Sequence, residues 1–360
     1  MKAKNSISPR YRLHRYLALG YVLFIVYVSL TPFSGWQEQN FDFIDVLTAP
    51  LLQTFTLFDF ALNFLSYIPL GFLLAYMIRG GHRPPVTAAT LATLVGLALA
   101  VLMEYTQMYL PSRVSSNSDL LSDTMGTLCG SMLAMGISQH IWFSRIRTWH
   151  NEWFKHGRMS DFGLALLALW IFAQINPSQP MLGSVFVGEV ARWKFDIVPA
   201  SPFNWQESAE VMLNLLLLGI LLSMLLRERR HSMNALLLML FGVTLMKFIA
   251  AAVLLKSWAL LIWMNSEAVL GILLAISLLT AAWRLALRWM IFYGALAACI
   301  YLTLVLNLML ASTSSAAHRL YHWHYNHMLN YNSLSQLAIL LFPILLLGYM
   351  WRTSILRKPA

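Results

Sequence analysis

The sequence predicts an all-α, polytopic transmembrane helical bundle of about ten spans, and three observations carry that reading. Of 360 residues, 59% are hydrophobic and only 11% are charged, against about 25% charged in soluble domains. The apolar residues fall in runs of roughly 20, the length an α-helix needs to cross bilayer hydrocarbon. Short basic segments separate the runs and give a formal net charge of +10. In a soluble protein that charge would suggest nucleic acid. Distributed between apolar runs it reads as a topology signal, and no nucleic-acid partner is expected. Cys129 and Cys299 lie inside apolar runs, so neither a disulfide framework nor a thiolate metal site follows.

The spans follow in order. Lys2, Lys4, Arg10, Arg12 and Arg15 precede the first, Tyr16 to Pro32, and no small-residue cleavage pattern closes it, so it is expected to stay as a helix. The next runs extend from about Phe60 to Ile78, Val86 to Tyr109 and Leu120 to Trp142. A long basic loop then leads to the shortest run, Asp161 to Ile175. Beyond a Pro- and Gly-spaced stretch, Asn176 to Pro202, come Ser208 to Leu226, Ala235 to Leu255, Trp258 to Ala282, Leu285 to Ala311 and Leu334 to Trp351. With sides alternating, nineteen Lys and Arg fall on the N-terminal side. Five fall opposite, Arg113, Arg192, Lys194, Lys256 and Arg319, and Lys247 lies within a span. Cytoplasmic segments keep the excess of cations, so both termini are expected in the cytoplasm of a bacterial inner-membrane protein. Dropping Asp161 to Ile175 would place Arg227, Arg229 and Arg230 outside, which is why it counts as a span.

The long basic loop and the Asn176 stretch that follows it divide the chain into two hydrophobic blocks, residues 1–150, a four-helix membrane domain, and 151–360, a six-helix block. Local patterns recur between them. Leu102-Met103-Glu104-Tyr105 parallels Leu245-Met246-Lys247-Phe248, Ser122-Asp123 parallels Ser266-Glu267, and Phe41-Asp42 parallels Phe195-Asp196. Apolar sequence makes chance matches common, so a degenerate parallel repeat stands beside coincidence. The second copy has lost most of the polar pattern, which points to chemistry in the first block.

Ionisable groups inside spans cost about 2.5–3.5 kcal/mol each on insertion scales, so they pair or face a wet cavity. Glu104 and Gln107, three apart, share a helical face at the outer end of the third span. Pro111 breaks that helix, and the loop Ser112 to Ser118 is rich in cap residues. Asp119, Asp123, Gly126 and Gly130 are spaced by four, three and four, hence on one face of the fourth helix. The acids lie near its outer rim, and the glycines deeper, where they permit close helix contact. Asn63, followed by Pro69 and Gly71, adds a polar group and a helix irregularity in the second span. Arg113 is the outer cation of this block, so Glu104, Asp119 and Asp123 could converge on its guanidinium. That cluster could bind a cationic or hydroxyl-bearing group, or share a proton. Alternatively, Arg113 bridges Glu104 and Asp119 only to hold the loop, with Asn63 and Gln107 satisfying backbone groups.

Over about residues 20–140 these motifs, Asn63-x5-Pro69-Leu70-Gly71-Phe72 and Glu104-x2-Gln107-x3-Pro111-x-Arg113-x5-Asp119-x3-Asp123-x2-Gly126-x3-Gly130, resemble the VanZ-like family of bacterial membrane proteins. In that family an Asn commonly stands where this chain has Asp123. The resemblance implies action at the cell envelope, since the family's name comes from low-level resistance to the glycopeptide teicoplanin. It implies no particular reaction.

Weaker signals complete the reading. His318, His322, His324 and His327 lie in the last outer loop beside Tyr321, Trp323 and Tyr325, more in keeping with an interfacial aromatic belt than with Zn²⁺, and no metal is expected. Lys247 and Glu267 lie in neighbouring spans and are expected to form a packing ion pair. No Walker loop, dinucleotide fingerprint, nucleophile elbow or His-Glu-x-x-His is present, so no cofactor is expected. The leading function is binding or modification of a lipid-linked or surface component, such as a cell-wall precursor, by Asn63, Glu104, Gln107, Arg113, Asp119 and Asp123. Arg113 would hold a phosphate or carboxylate and the acids hydroxyl or amino groups; in an enzyme the acids would act as general acid and base. The alternatives are a transporter or flippase with two quasi-equivalent halves, and a scaffold subunit of envelope polysaccharide machinery. The expected partners are membrane lipids and envelope-biogenesis proteins.

Overall fold

A computed structural model of the protein describes residues 12–38, 42–50, 57–79, 83–137, 141–184, 203–255, 257, 260–261, 263–311 and 325–355. Among them the regular structure is helical apart from an antiparallel bridge between Phe154 and Leu226. The chain divides into two compact units, Met1–Asn151 and Glu152–Ala360.

The first unit contains α1 Leu13–Leu30, α2 Phe43–Thr48, α3 Leu57–Arg79, α4 Pro85–Gln107 and α5 Asn117–Ile137, with α6 Ile141–Trp153 reaching its boundary. Local chemistry sets the ends. Pro85 opens α4, where its missing N–H is no loss, and Asp42 and Asp45 form a reciprocal capping box on α2. The end of α1 is more demanding. Pro32 has no N–H to give to the Val28 carbonyl, and the Phe33 N–H goes to Leu30 at 2.8 Å, leaving Ser29 also without its helical donor.

The seam between α3 and α5 is made of small residues. A Cβ at Gly71 would overlap the Thr127 carbonyl, one at Gly126 the Phe64 carbonyl, and one at Gly130 the Ile68 carbonyl. On the other side of α5, Gly96 of α4 admits the Thr127 side chain. The backbones therefore meet as close-packed membrane helices do, enclosed by Tyr67, Leu70, Leu74, Ala92, Ala100, Met103 and Ala134. Pro69 takes a donor from α3. One residue beyond the carbonyl it orphans, the Tyr21 hydroxyl donates to the Ser66 carbonyl at 2.7 Å.

The second unit contains α7 Arg158–Gln174, α8 Trp205–Leu225, α9 Ser232–Leu254, α10 Ser266–Ala282, α11 Leu287–Ala311 and α12 Tyr325–Ile355. α8 is its axis, with 83% of its apolar window buried beneath α7, α9, α10 and α11. Gly271 seats α10 on α8: a Cβ there would stand 2.6 Å from the Ser208 carbonyl and 2.7 Å from Val211.

Among the described residues, eight helices are long and apolar enough to cross a membrane. Two of the expected spans are shorter: α7 and α10 have 17 residues each, or about 26 Å of helix against about 30 Å of hydrocarbon. Two boundaries differ from expectation: α10 begins at Ser266 rather than Trp258, and α12 begins at Tyr325 rather than Leu334.

The stretch from Asn176, which reads in sequence as a surface connection, is buried over residues 176–184. Inside a membrane protein such backbone must find its partners within the protein. Lys247 Nζ donates to the Gln174 and Pro180 carbonyls at 3.2 and 3.1 Å, and Asn214 Nδ2 to the Leu182 carbonyl at 2.7 Å. Gln179 Nε2 reaches the Ser184 carbonyl at 3.3 Å, and Met181 N donates to the Trp263 carbonyl at 2.7 Å. Asn176 Nδ2 holds Asn332 and Ser335 of α12 at 2.8 and 2.9 Å. The expected Lys247–Glu267 pair therefore does not form. Glu267 accepts from Asn204 N and Ser266 Oγ instead, because the loop carbonyls need the ammonium more. His318, His322 and His324 lie outside the described residues.

Candidate functional site

The polar residues of the first unit divide into two groups with different work. The first closes α1. Arg113 Nη2 donates to the Val28 carbonyl at 2.7 Å and its Nε to Thr31 at 3.2 Å, while Gln107 Nε2 donates to Ser29 at 3.0 Å. These acceptors include the two carbonyls that the turn at Pro32 leaves without helical donors, and a cation at a helix C-terminus also suits the macrodipole. Burial pulls the Arg113 guanidinium below its ordinary value, but it stays a cation. The expected convergence of Glu104, Asp119 and Asp123 on Arg113 is not what the structure contains: among the described residues no Lys or Arg pairs with any of the three acids.

The second group gathers the acids where α4, α5 and α3 meet. Glu104, buried on α4, accepts the Ser116 N–H at 2.7 Å and the Ser115 hydroxyl at 2.9 Å through Oε2. It thereby caps α5, satisfying a free donor just before the helix and placing negative charge at its positive end. One turn apart on α5, Asp119 and Asp123 face α3. There Asn63 stands beside the Asp119 carboxylate, and Tyr67, one turn further on, stands at Asp123. That last approach closes no well-formed bond. Asp123 Oδ1 and the Tyr67 hydroxyl are both buried and both without partners.

Glu104, Asp119 and Asp123 lie within electrostatic reach of one another, with Asp59 near Asp119. Below them the glycine seam fixes the spacing of α3 and α5. Pro69, Gly71, Gly126 and Gly130 are thus framework, and Asn63, Tyr67, Asp119 and Asp123 form the polar end of the seam, with Tyr67 and Asp123 buried. Tyr67 is absent from the residues that the sequence singles out. Its spacing of four from Asn63 places it on the same face of α3 and is the signal that would have found it.

An apolar groove of about 580 Å³ follows α5 from Phe64 and Met125 past Cys129 and Met132 to Ile137, and none of the acids lines it. Its lining suits hydrocarbon. The acidic cluster can accept protons, hydroxyls or ammonium groups, and the groove an apolar chain.

Residues 13–143 match the family model VanZ/LLP1. Neither the curated proteins nor the solved structures yield a match to the chain. The acidic cluster, the clamp on α1 and the glycine seam all fall within residues 13–143, the part of this multi-pass membrane protein that matches the VanZ/LLP1 family model.

Proposed function

We propose that the first unit binds a lipid-linked or surface component of the cell envelope through its hydroxyl or amino groups, using Asp123, Asp119 and Tyr67. The observation that carries this reading is the facing pair of buried, unpartnered atoms, Asp123 Oδ1 and the Tyr67 hydroxyl, beside Glu104 and Asp119, with which no described Lys or Arg pairs. Burying such groups unpaired costs about 1–3 kcal/mol each, and an incoming donor would recover it. The groove along α5 supports a ligand with an acyl or polyprenyl portion. Arg113 is not an anion clasp in this reading, because the end of α1 engages it.

Asp123→Asn and Tyr67→Phe are each expected to leave melting and yield near wild type while lowering retention of the co-purified molecule about tenfold, or about 1.4 kcal/mol. Mass spectrometry of extracted lipid and glycan reads the result, and equal retention in all three proteins would sink the reading.

The proposed setting is the bacterial cytoplasmic membrane, with α7 and α10 as short spans, ten spans in all and both termini inside. The asymmetry of Lys and Arg supports it. Reporters on the two termini should both escape an impermeant reagent added outside; labelling of one alone would remove a short span from the count.

The second unit is read as a worn parallel copy of the first. In support, Gly126 meets the carbonyl of Phe64 and the Cβ of Tyr67, and Gly271 likewise meets those of Ser208 and Val211.

A further inference from the structure

We infer that Glu210 of α8 is a reversible proton-binding site in the second unit, with Ser184 as its immediate partner. Glu210 is fully buried, and neither carboxylate oxygen has a hydrogen-bond partner. It is the ionisable residue of the apolar run from Ser208 to Leu226. Ser184, at the end of the buried loop, sets its hydroxyl and backbone N–H beside the carboxylate without closing a well-formed bond, and that hydroxyl is itself buried and unpartnered.

The surrounding charges do not neutralise it. Glu207, one turn earlier on α8, adds negative charge, and buried Tyr301 of α11 lies within electrostatic reach. From α9, Lys247 is turned to the Gln174 and Pro180 carbonyls. From α10, Glu267 is turned to Asn204 and Ser266. On α7, Asp161 lies in the first turn, while Ser184 follows that helix's opposite end. Among the described residues no Lys, Arg or His pairs with Glu210.

An ionised carboxylate at this depth requires a counter-ion, a metal ion or a proton. Among the described residues no counter-ion pairs with it. A metal ion would need several further oxygen ligands, whereas the described neighbours offer hydroxyls and an N–H, and the N–H repels a cation. A proton needs no cavity. With the proton bound, the carboxyl O–H can donate to Ser184 Oγ. When that O–H bond breaks, the electron pair stays on the carboxylate, which Ser184 N–H and Oγ–H can then hold, and the proton passes to water. Both states thus find partners in the same place.

Infrared difference spectroscopy of intact protein in lipid, wild type against Glu210→Gln, tests this. In mildly acid buffer the wild type should show a protonated-carboxyl band that the variant lacks. The band should disappear on alkalinisation and ignore added Na⁺. Its absence at every pH, or its loss on adding Na⁺ at constant pH, would overturn the inference. If Glu210→Gln fails to fold, the wild type is labelled with an apolar carbodiimide, which attacks protonated carboxyls, and digested for mass spectrometry. Labelling of Glu210 should fall about tenfold or more from mildly acid to mildly alkaline buffer, the change set by a tenfold fall in the protonated fraction. Labelling that is absent or independent of pH refutes the site. Because this site lies in the second unit, its failure leaves the reading of Asp123 and Tyr67 untouched.

Discussion

Arg113→Ala is expected to destabilise the first unit by about 2 kcal/mol or more, because two carbonyls lose their charged donor and Val28 has no other. Neither water nor the backbone fully replaces it: Pro32 carries no N–H, and the end of α1 is half buried. Arg113→Lys should recover part of the loss, since an ammonium can follow one carbonyl but does not reproduce the fork that spans Val28 and Thr31. Gln107→Ala should cost less in the Arg113→Ala background than alone, because both residues close the same helix end and an end already released has less to lose. Thermal melting of the four proteins in one detergent gives the cycle. Additive losses would mean that the two clamps act independently. Unchanged melting of Arg113→Ala, accompanied by loss of bound ligand, would return the guanidinium to the role of anion clasp.

Glu104 should divide sharply by substitution. Glu104→Ala leaves the Ser116 N–H without an acceptor and removes the charge from the start of α5, a loss of about 1–3 kcal/mol. Glu104→Gln keeps an acceptor oxygen. It forfeits the interaction with the helix dipole, about 0.3–1 kcal/mol, and gains relief from the neighbouring Asp119 charge. Its melting temperature should therefore stay close to that of wild type. Melting curves distinguish a cap from a ligand group. If Glu104→Gln melts normally but no longer retains the co-purified molecule, the carboxylate touches that molecule as well as the helix.

Much of the architecture was legible because the bilayer imposes length and the helix imposes period. Apolar runs gave the long spans, and the spacing of Asp119, Asp123, Gly126 and Gly130 placed them on the face of α5 that meets α3. The target of Arg113 was not legible by proximity of opposite charge. The demand came from Pro32, far upstream, whose missing N–H no charge count records. Lys247 followed the same logic, answering loop carbonyls rather than Glu267. The burial of residues 176–184 escaped because Pro and Gly signal a change of chain direction whether the turn lies in water or in a protein core. Glu210 was visible in principle, as an acid inside an apolar run, but it lay outside the pattern that drew attention to the first block.

The closure of α1 also orders events during synthesis. Its last turn is translated long before the side chains that complete it, since Gln107 and Arg113 leave the ribosome only after two more hydrophobic stretches have been made. The first helix can enter the bilayer early, yet its C-terminal end stays unfinished until α4 and the following loop arrive. A nascent chain halted before that point would carry exposed carbonyls at the membrane surface, a mark by which quality-control machinery could tell an incomplete protein from a finished one.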